Sequence, residues 1–498
     1  MQALTWLVAA AVAVVAAACL WLSLWRVALL AELCWVFLLR SRVARLQRQK
    51  RTVMAAMRVR HPQACDPRGL SRAPHAPSRV QTRCTPAERK ESLARVLSAI
   101  AAVHGDTLAP SIERFLSDWH FGTPASSIGT RSLSRFLCRI LFYVDSPQEL
   151  NADEQQELDA AVAAVAVARS SCDGGDEACA RSMRVCMPAE PLNWYHFPLF
   201  VYVGLAAVRL VGHTFFRLAG FQRHNAGTVT YYRRPATAAA GSPSASRLPP
   251  LVLLPGVGIG ASSYIPMLLT SLSQPASDMF VVELSHVTAG QMQGCVPAED
   301  DVVAAIQAML AAHSHKSARF MCHSYGTFVL AWLLREAAGR AVVHSLLLMD
   351  PVALLVAFPH TTHGAVYRRM LEPPQAEALW SSGEQRSRLA AAASSAQLLR
   401  RLGVTLYFMR EAHIALVLQR HVHWPSYSLW LEDIPEACPV TVALSSRDAL
   451  VPTREVASYV ASRPDRRVTV LWLHAHEHGE VVYNAAHWGE LARALAHH

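Results

Sequence analysis

ARFMCHSYGTFVLAWLL, residues Ala318 to Leu334, begins as an apolar strand, turns at Ser324 and continues as a helix. A serine between a buried strand and a helix, with small residues two places to either side, is the pattern Gly-x-Ser-x-Gly. There, strained backbone lifts the hydroxyl out at the sheet edge. Gly326 fits the second small position, while Cys322 stands where a glycine is usual. One serine decides nothing alone. Ser324 can attack a substrate only if the chain also brings a base, an acid and an oxyanion site to that edge.

Outward from this stretch, short apolar runs alternate with helical stretches from Thr228 onward: TVTYYRR, LVLLP, MFVVEL, ARFMCHS, HSLLLMD, VTVALSS and VTVLWLH. Continuous apolar runs separated by helices are strands buried on both faces, hence a doubly wound, mostly parallel α/β sheet. Some 85 residues separate HSLLLMD from VTVALSS, too many for a crossover, so a helical cap insertion is expected over 355–437.

The oxyanion site belongs on the loop after a central strand. LVLLPGVGIGASSY supplies it, and the amides of Val257 and Tyr325 are the candidates. Gly256-Val257-Gly258-Ile259-Gly260 also resembles a dinucleotide turn, but its spacing is wrong and no acidic residue follows at a ribose position. The base comes last in this chain order. His474, His476 and His478 crowd the end of the final strand; His478, followed by Gly479, is the first choice and His476 the alternative. For the acid, Asp448 follows the penultimate strand, and Asp350, ending HSLLLMD, is the alternative.

Composition narrows the rest. Of 498 residues, 52% are hydrophobic and 17% charged, a balance that points to membrane contact. The net charge of +10 is concentrated between Arg40 and Arg60, which argues against a nucleic-acid partner. Among the eleven cysteines there is no CxxC pair or zinc spacing, and the seven-residue repeat of Cys172, Cys179 and Cys186 makes no metal site. His413, His421 and His423 with Glu411 and Glu432 likewise lack a metal spacing; Arg410, Arg420, His423 and Trp424 read as cap residues near a pocket mouth. No metal and no cofactor is called for.

Residues 3–25 carry no charge and are long enough to cross a bilayer. Ala16-Ala17-Ala18-Cys19 would suit signal cleavage, yet no basic segment precedes the apolar run. The expected organisation is therefore a membrane anchor over 1–39 and a basic juxtamembrane segment and linker over 40–90. A helical region follows over 91–227, and the α/β domain over 228–498. The arginines after the anchor place the rest of the chain on the cytosolic side. Within the tract 191–221, Arg209, His213 and Arg217 fall four apart and predict a polar stripe on a helix lying at a membrane surface.

From about Thr228 the chain resembles the α/β-hydrolase superfamily, in particular a membrane-anchored eukaryotic branch of it. CHSYGT, MDPVALL, the cap segment YFMREAHIALVLQRHVHWPSYSLWLEDIP and, upstream, FLSDWHFG carry the likeness. The resemblance implies a serine hydrolase with Ser324, Asp448 and His478 as its triad, and no particular substrate. The expectation is a membrane-anchored ester hydrolase acting on a small-molecule or lipid ester, with membrane lipids as partners. A non-catalytic scaffold of the same fold, or an acyl transferase or peptidase using the same triad, stays open.

Overall fold

A computed structural model describes residues 27–45, 85–104, 108–167, 192–236, 248–270, 277–291, 296–367 and 408–496. The apolar run 3–25, the cysteines Cys172, Cys179 and Cys186, and the middle of the cap insertion, 368–407, lie outside the described residues.

Eight strands make one sheet in the order β1-β2-β4-β3-β5-β6-β7-β8. They are β1 (Gln222–Ala226), β2 (Val229–Arg234), β3 (Leu251–Leu254), β4 (Met279–Glu283), β5 (Ala318–His323), β6 (Val343–Met349), β7 (Val440–Ser445) and β8 (Val468–Leu473). β1 and β2 form an antiparallel hairpin, β2 runs antiparallel to β4, and the remaining neighbours are parallel. β3, β5 and β7 are buried at every residue, as their predominantly apolar sequences predict; Arg319 and His323 of β5 and Thr441 and Ser445 of β7 are buried with them.

Alternate residues of these strands enter two separate cores. Val252, Leu254, Phe320, Cys322, Leu346 and Leu348 face one, with the helices α7 (Glu299–Ala312) and α8 (Gly326–Arg335). Leu251, Leu253, Met321, Leu347, Met349 and Leu473 face the other, with the C-terminal helix Trp488–Ala496. The two-residue period of a strand thus makes a three-layer sandwich.

The domain begins earlier than Thr228. β1 was not legible, because QRHNA is polar and sits half in solvent at the sheet edge. The cue was the Gly227 turn, whose φ of +52° closes the hairpin. The linker also ends before residue 90. Thr85 and Glu88 cap each other's amides at 2.7 and 3.2 Å, opening α2 (Pro86–His104). With α3 (Leu108–Trp119), α4 (Thr130–Leu137) and α5 (Ala152–Val167), α2 joins the first core. Arg89 ties α2 to α5 through paired bonds of 2.8 and 2.6 Å to Glu157.

Residues 27–45 form a helix, α1, which meets α6 (Leu199–Leu218). Glu32 accepts from the Leu199 amide at 2.8 Å and pairs with His196, and the Trp35 indole donates to the Phe197 carbonyl at 3.1 Å. α6 is fixed to the domain along its length. Tyr202 donates to Glu411, Arg209 donates to the Ala289 carbonyl, and Phe216 stacks on Tyr232. The expected polar stripe is therefore turned inward at Arg209 and at the half-buried His213, whose ring lies against Tyr232. The outer side is apolar instead: Phe200, Val203, Leu210, Val211, Phe215 and Leu218 are exposed, as are Leu29, Leu30, Leu33 and Phe37 of α1. By length and composition α6 is the one described helix able to cross a bilayer, with a mean hydropathy of 1.6.

Candidate active site

The strand β5 ends at His323, and Ser324 turns the chain into α8 with φ at +49°, a left-handed conformation that a non-glycine residue holds only under constraint. The constraint is visible. The Ser324 amide donates to the Met349 carbonyl of the adjoining strand, and the Ser324 carbonyl accepts from both the amide and the hydroxyl of Thr327. At Gly326 a side chain would collide with the Leu254 carbonyl, which is why glycine is needed there. Cys322 has room two residues earlier because it points into the packed core, where burial pushes its thiol well above the ordinary range.

Ser324 Oγ lies 2.8 Å from His478 Nε2, and His478 Nδ1 lies 2.7 Å from Asp448 Oδ2. The other carboxylate oxygen of Asp448 accepts from the amides of Leu450 and Val451 at 2.7 and 2.9 Å, which fixes the plane of the group. The carboxylate settles the tautomer: Nδ1 carries the proton, so Nε2 is left as an acceptor toward the serine hydroxyl. Burial pulls the His478 imidazole down, but the charge and hydrogen bond of Asp448 and the charge of Asp350 outweigh it and hold it above its usual value. His476 is turned away; its Nδ1 meets the His474 carbonyl at 3.0 Å and its ring packs on His487.

Asp350 is fully buried, yet it does not contact the imidazole nitrogens as the sequence allowed. Its two oxygens accept from the Ser445 amide at 3.1 Å and the Gly479 amide at 2.8 Å. Burial first, then the charge of Asp448, push its carboxyl up to about 6.

On the opposite side, the loop after β3 passes so close that a side chain at Gly256 would come within 2.9 Å of Ser324 Cβ. Tyr264 anchors that loop: its hydroxyl accepts from the Gly256 amide at 2.8 Å and lies 2.6 Å from His323 Nδ1. Gly258 exchanges backbone bonds with Val287 and Ala289. Among the described residues, neither the Val257 nor the Tyr325 amide has an acceptor, so both can receive a hydrogen bond acceptor from outside. Val257 packs beneath Ile414 of the cap helix α9 (Ala412–Arg420), together with Leu205 of α6.

The four cap residues expected at a pocket mouth are joints to the rest of the chain. The Trp424 indole donates to the Ile140 carbonyl at 2.7 Å, His423 stacks on Tyr143, and Arg410 accepts the Tyr195 amide with its carbonyl; Arg420 is buried. Glu411 caps α9 through the His413 and Ile414 amides. Donor atoms of Asp350, Asp448 and His478 lie within 4.8 Å of one another, but hydrogen bonds within the protein already engage them. Sequence reasoning missed the Tyr264–His323 pair, since nothing local links residues so far apart along the chain.

No protein-family profile matches the sequence, and no curated relative does. Among solved structures the chain is similar to a bacterial membrane phospholipase A, at 16% identity over 60% of this chain and 92% of that one, with a TM-score of 0.38. It is also similar to a carboxylesterase from Bacillus subtilis, at 11% identity over 59% and 98% of the two chains and a TM-score of 0.36. An esterase from a Rhodococcus species gives 18%, 56% and 98%, with a TM-score of 0.34. A likeness of this degree carries no information on activity. The sheet order, with β2 alone running against its neighbours next to one edge, and the serine turn between β5 and α8 are the chain's own evidence: it has the α/β-hydrolase fold.

Proposed function

We propose that the protein is a membrane-associated serine hydrolase that cleaves carboxylic esters, with lipid or other apolar acyl esters as substrates. The observation that carries this reading is the continuous chain of hydrogen bonds from Ser324 through His478 to Asp448, beside two amides awaiting an oxyanion. In the mechanism, His478 Nε2 takes the proton of the Ser324 hydroxyl as the oxygen attacks the ester carbonyl. The Val257 and Tyr325 amides hold the oxyanion. His478 then protonates the departing alcohol, and water, activated by the same nitrogen, releases the acid from Ser324. No step calls for a metal or cofactor.

The membrane half of the proposal rests on the outer faces of α1 and α6, where large apolar side chains are exposed side by side. Arg40 and Arg45 end the first helix and Arg217 the second, at the level of anionic headgroups. Because the inner side of α6 is bonded to the domain, this helix lies along the leaflet rather than through it. The catalytic domain sits on the cytosolic side of that membrane.

The test compares the wild type with Ser324→Ala in membranes, using a fluorophosphonate probe, p-nitrophenyl esters of increasing chain length and the matching p-nitroanilides. Labelling and hydrolysis should both vanish in the variant. A wild type that neither labels nor hydrolyses would reveal a non-catalytic scaffold, and hydrolysis confined to amides would reveal a peptidase.

A further inference from the structure

Two acidic groups sit at the edge of this site, and the mechanism above uses one. The other, Asp350, is held at φ +45° at the end of β6, the strand between the one that presents Ser324 and the one that presents Asp448. Its oxygens grip two backbone amides that are 34 residues apart. Ser445 is the last residue of β7, three before Asp448; Gly479 directly follows His478 and has φ at +75°. One buried carboxylate thus fastens the acid loop to the base loop. Behind it, His323 presents Nε2 at 4.0 Å from Asp350 Oδ2, too far for a hydrogen bond, and this nitrogen has no hydrogen-bond partner among the described residues. The other nitrogen, Nδ1, takes the Tyr264 hydroxyl, because that hydroxyl already accepts from Gly256 and has its own proton to give. Nε2 therefore bears a proton and turns it toward Asp350.

We propose that Asp350 is a positioning residue for the reaction assigned above, the centre of a frame in which it clamps the loops of His478 and Asp448, while Tyr264 and His323 steady the oxyanion loop. The proposal rests on the hydrolase reading. Asp350 acts through other groups: it holds the imidazole within reach of Ser324 by its backbone and adds a second negative charge that favours the imidazolium formed during attack. The groups facing Asp350 are Asp448 and His478 from the loops after β7 and β8, His323 from the end of β5, and Tyr264 from the turn after β3. Asp448 is the only other acid among them, and its charge works against ionisation of Asp350. The two backbone donors and His478 favour it.

The frame predicts a response that a merely structural residue would not give. Asp350→Asn keeps the shape but turns an amide NH2 against one of two backbone N–H groups, so the base loop shifts. kcat on a p-nitrophenyl ester should fall about tenfold to a hundredfold with KM nearly unchanged. Loss of the charge should also lower the acidic limb of the kcat/KM profile by about half a unit to one unit. Tyr264→Phe removes no charge, so kcat should drop about threefold to tenfold with the limb in place. Asp350→Asn with wild-type kcat, or with an unmoved limb, overturns the proposal. Should Asp350→Asn not fold, wild-type kcat in Tyr264→Phe overturns the frame. Wild-type enzyme inert toward both ester and fluorophosphonate brings down the hydrolase reading and this one with it, whereas an active wild type beside an unaffected Asp350→Asn brings down this one alone.

Discussion

Replacing Asp448 with asparagine isolates what the carboxylate contributes. Its Oδ1 takes the Leu450 and Val451 amides at 2.7 and 2.9 Å, and its Oδ2 takes His478 Nδ1 at 2.7 Å. An asparagine has one oxygen, and two backbone donors will claim it. The NH2 group must then face His478. Nδ1 meets a donor, sheds its proton to Nε2, and the nitrogen that should accept from Ser324 becomes a donor itself. The site keeps its shape and loses its base. For a triad of this geometry the cost is on the order of 10⁴ in kcat, about 5.5 kcal/mol of transition-state stabilisation. The folded state should hardly notice, because the two loop bonds survive. The assay is kcat/KM on a soluble p-nitrophenyl ester with thermal melting in parallel. A fall below tenfold, with the melting temperature unchanged, refutes the tautomer reasoning. If Asp350→Asn instead shows the 10⁴ loss, the acid has been placed on the wrong loop.

The pH profile follows from the same imidazole: since His478 is held above its ordinary 6.5, kcat/KM should rise through an apparent pKa higher than that and be lost as the pH falls below it. Ser324→Gly should melt higher than Ser324→Ala by the equivalent of about 1 kcal/mol, because glycine tolerates the +49° φ; equal melting would mean the turn is unstrained. Aspartate at both Leu210 and Phe215 should release the protein from vesicles containing anionic phospholipid while hydrolysis of a soluble ester persists. Unchanged vesicle binding would remove the outer face of α6 from the membrane.

The sheet was readable because its central strands are mostly apolar on both faces, a pattern that water-facing strands do not show; Arg319, His323, Thr441 and Ser445 are the buried polar exceptions in β5 and β7. The hairpin strand β1 is hidden for the opposite reason, and the start of α2 is signalled only by Thr85-Pro86-x-Glu88 at the end of a Pro- and Arg-rich stretch. The four-residue spacing of Arg209, His213 and Arg217 puts them on one side of α6, of which Arg209 and His213 turn inward while Arg217 stays exposed. Spacing reports which residues share a side, while the Ala289 carbonyl and the Tyr232 ring decide where that side points. At the site, Ser324 and the crowd of histidines after β8 could be seen in one dimension. The choice between His476 and His478 rests on the Gly479 turn, and the Tyr264–His323 contact spans 59 residues that no local pattern joins.

The side chain of Glu32 has a practical consequence. It terminates α6 from a different helix, filling the role that a serine or aspartate at residue 198 would normally play, and Pro198 offers no such group. A chain shortened beyond residue 45 to make it soluble would strip this acceptor and the Trp35 ring together. It would also bare Leu192, Ala412 and Leu416, which pack against Leu39 and Val43. The upstream helix is a fitted part of the domain, and shortening that spares α1 should yield the more stable protein.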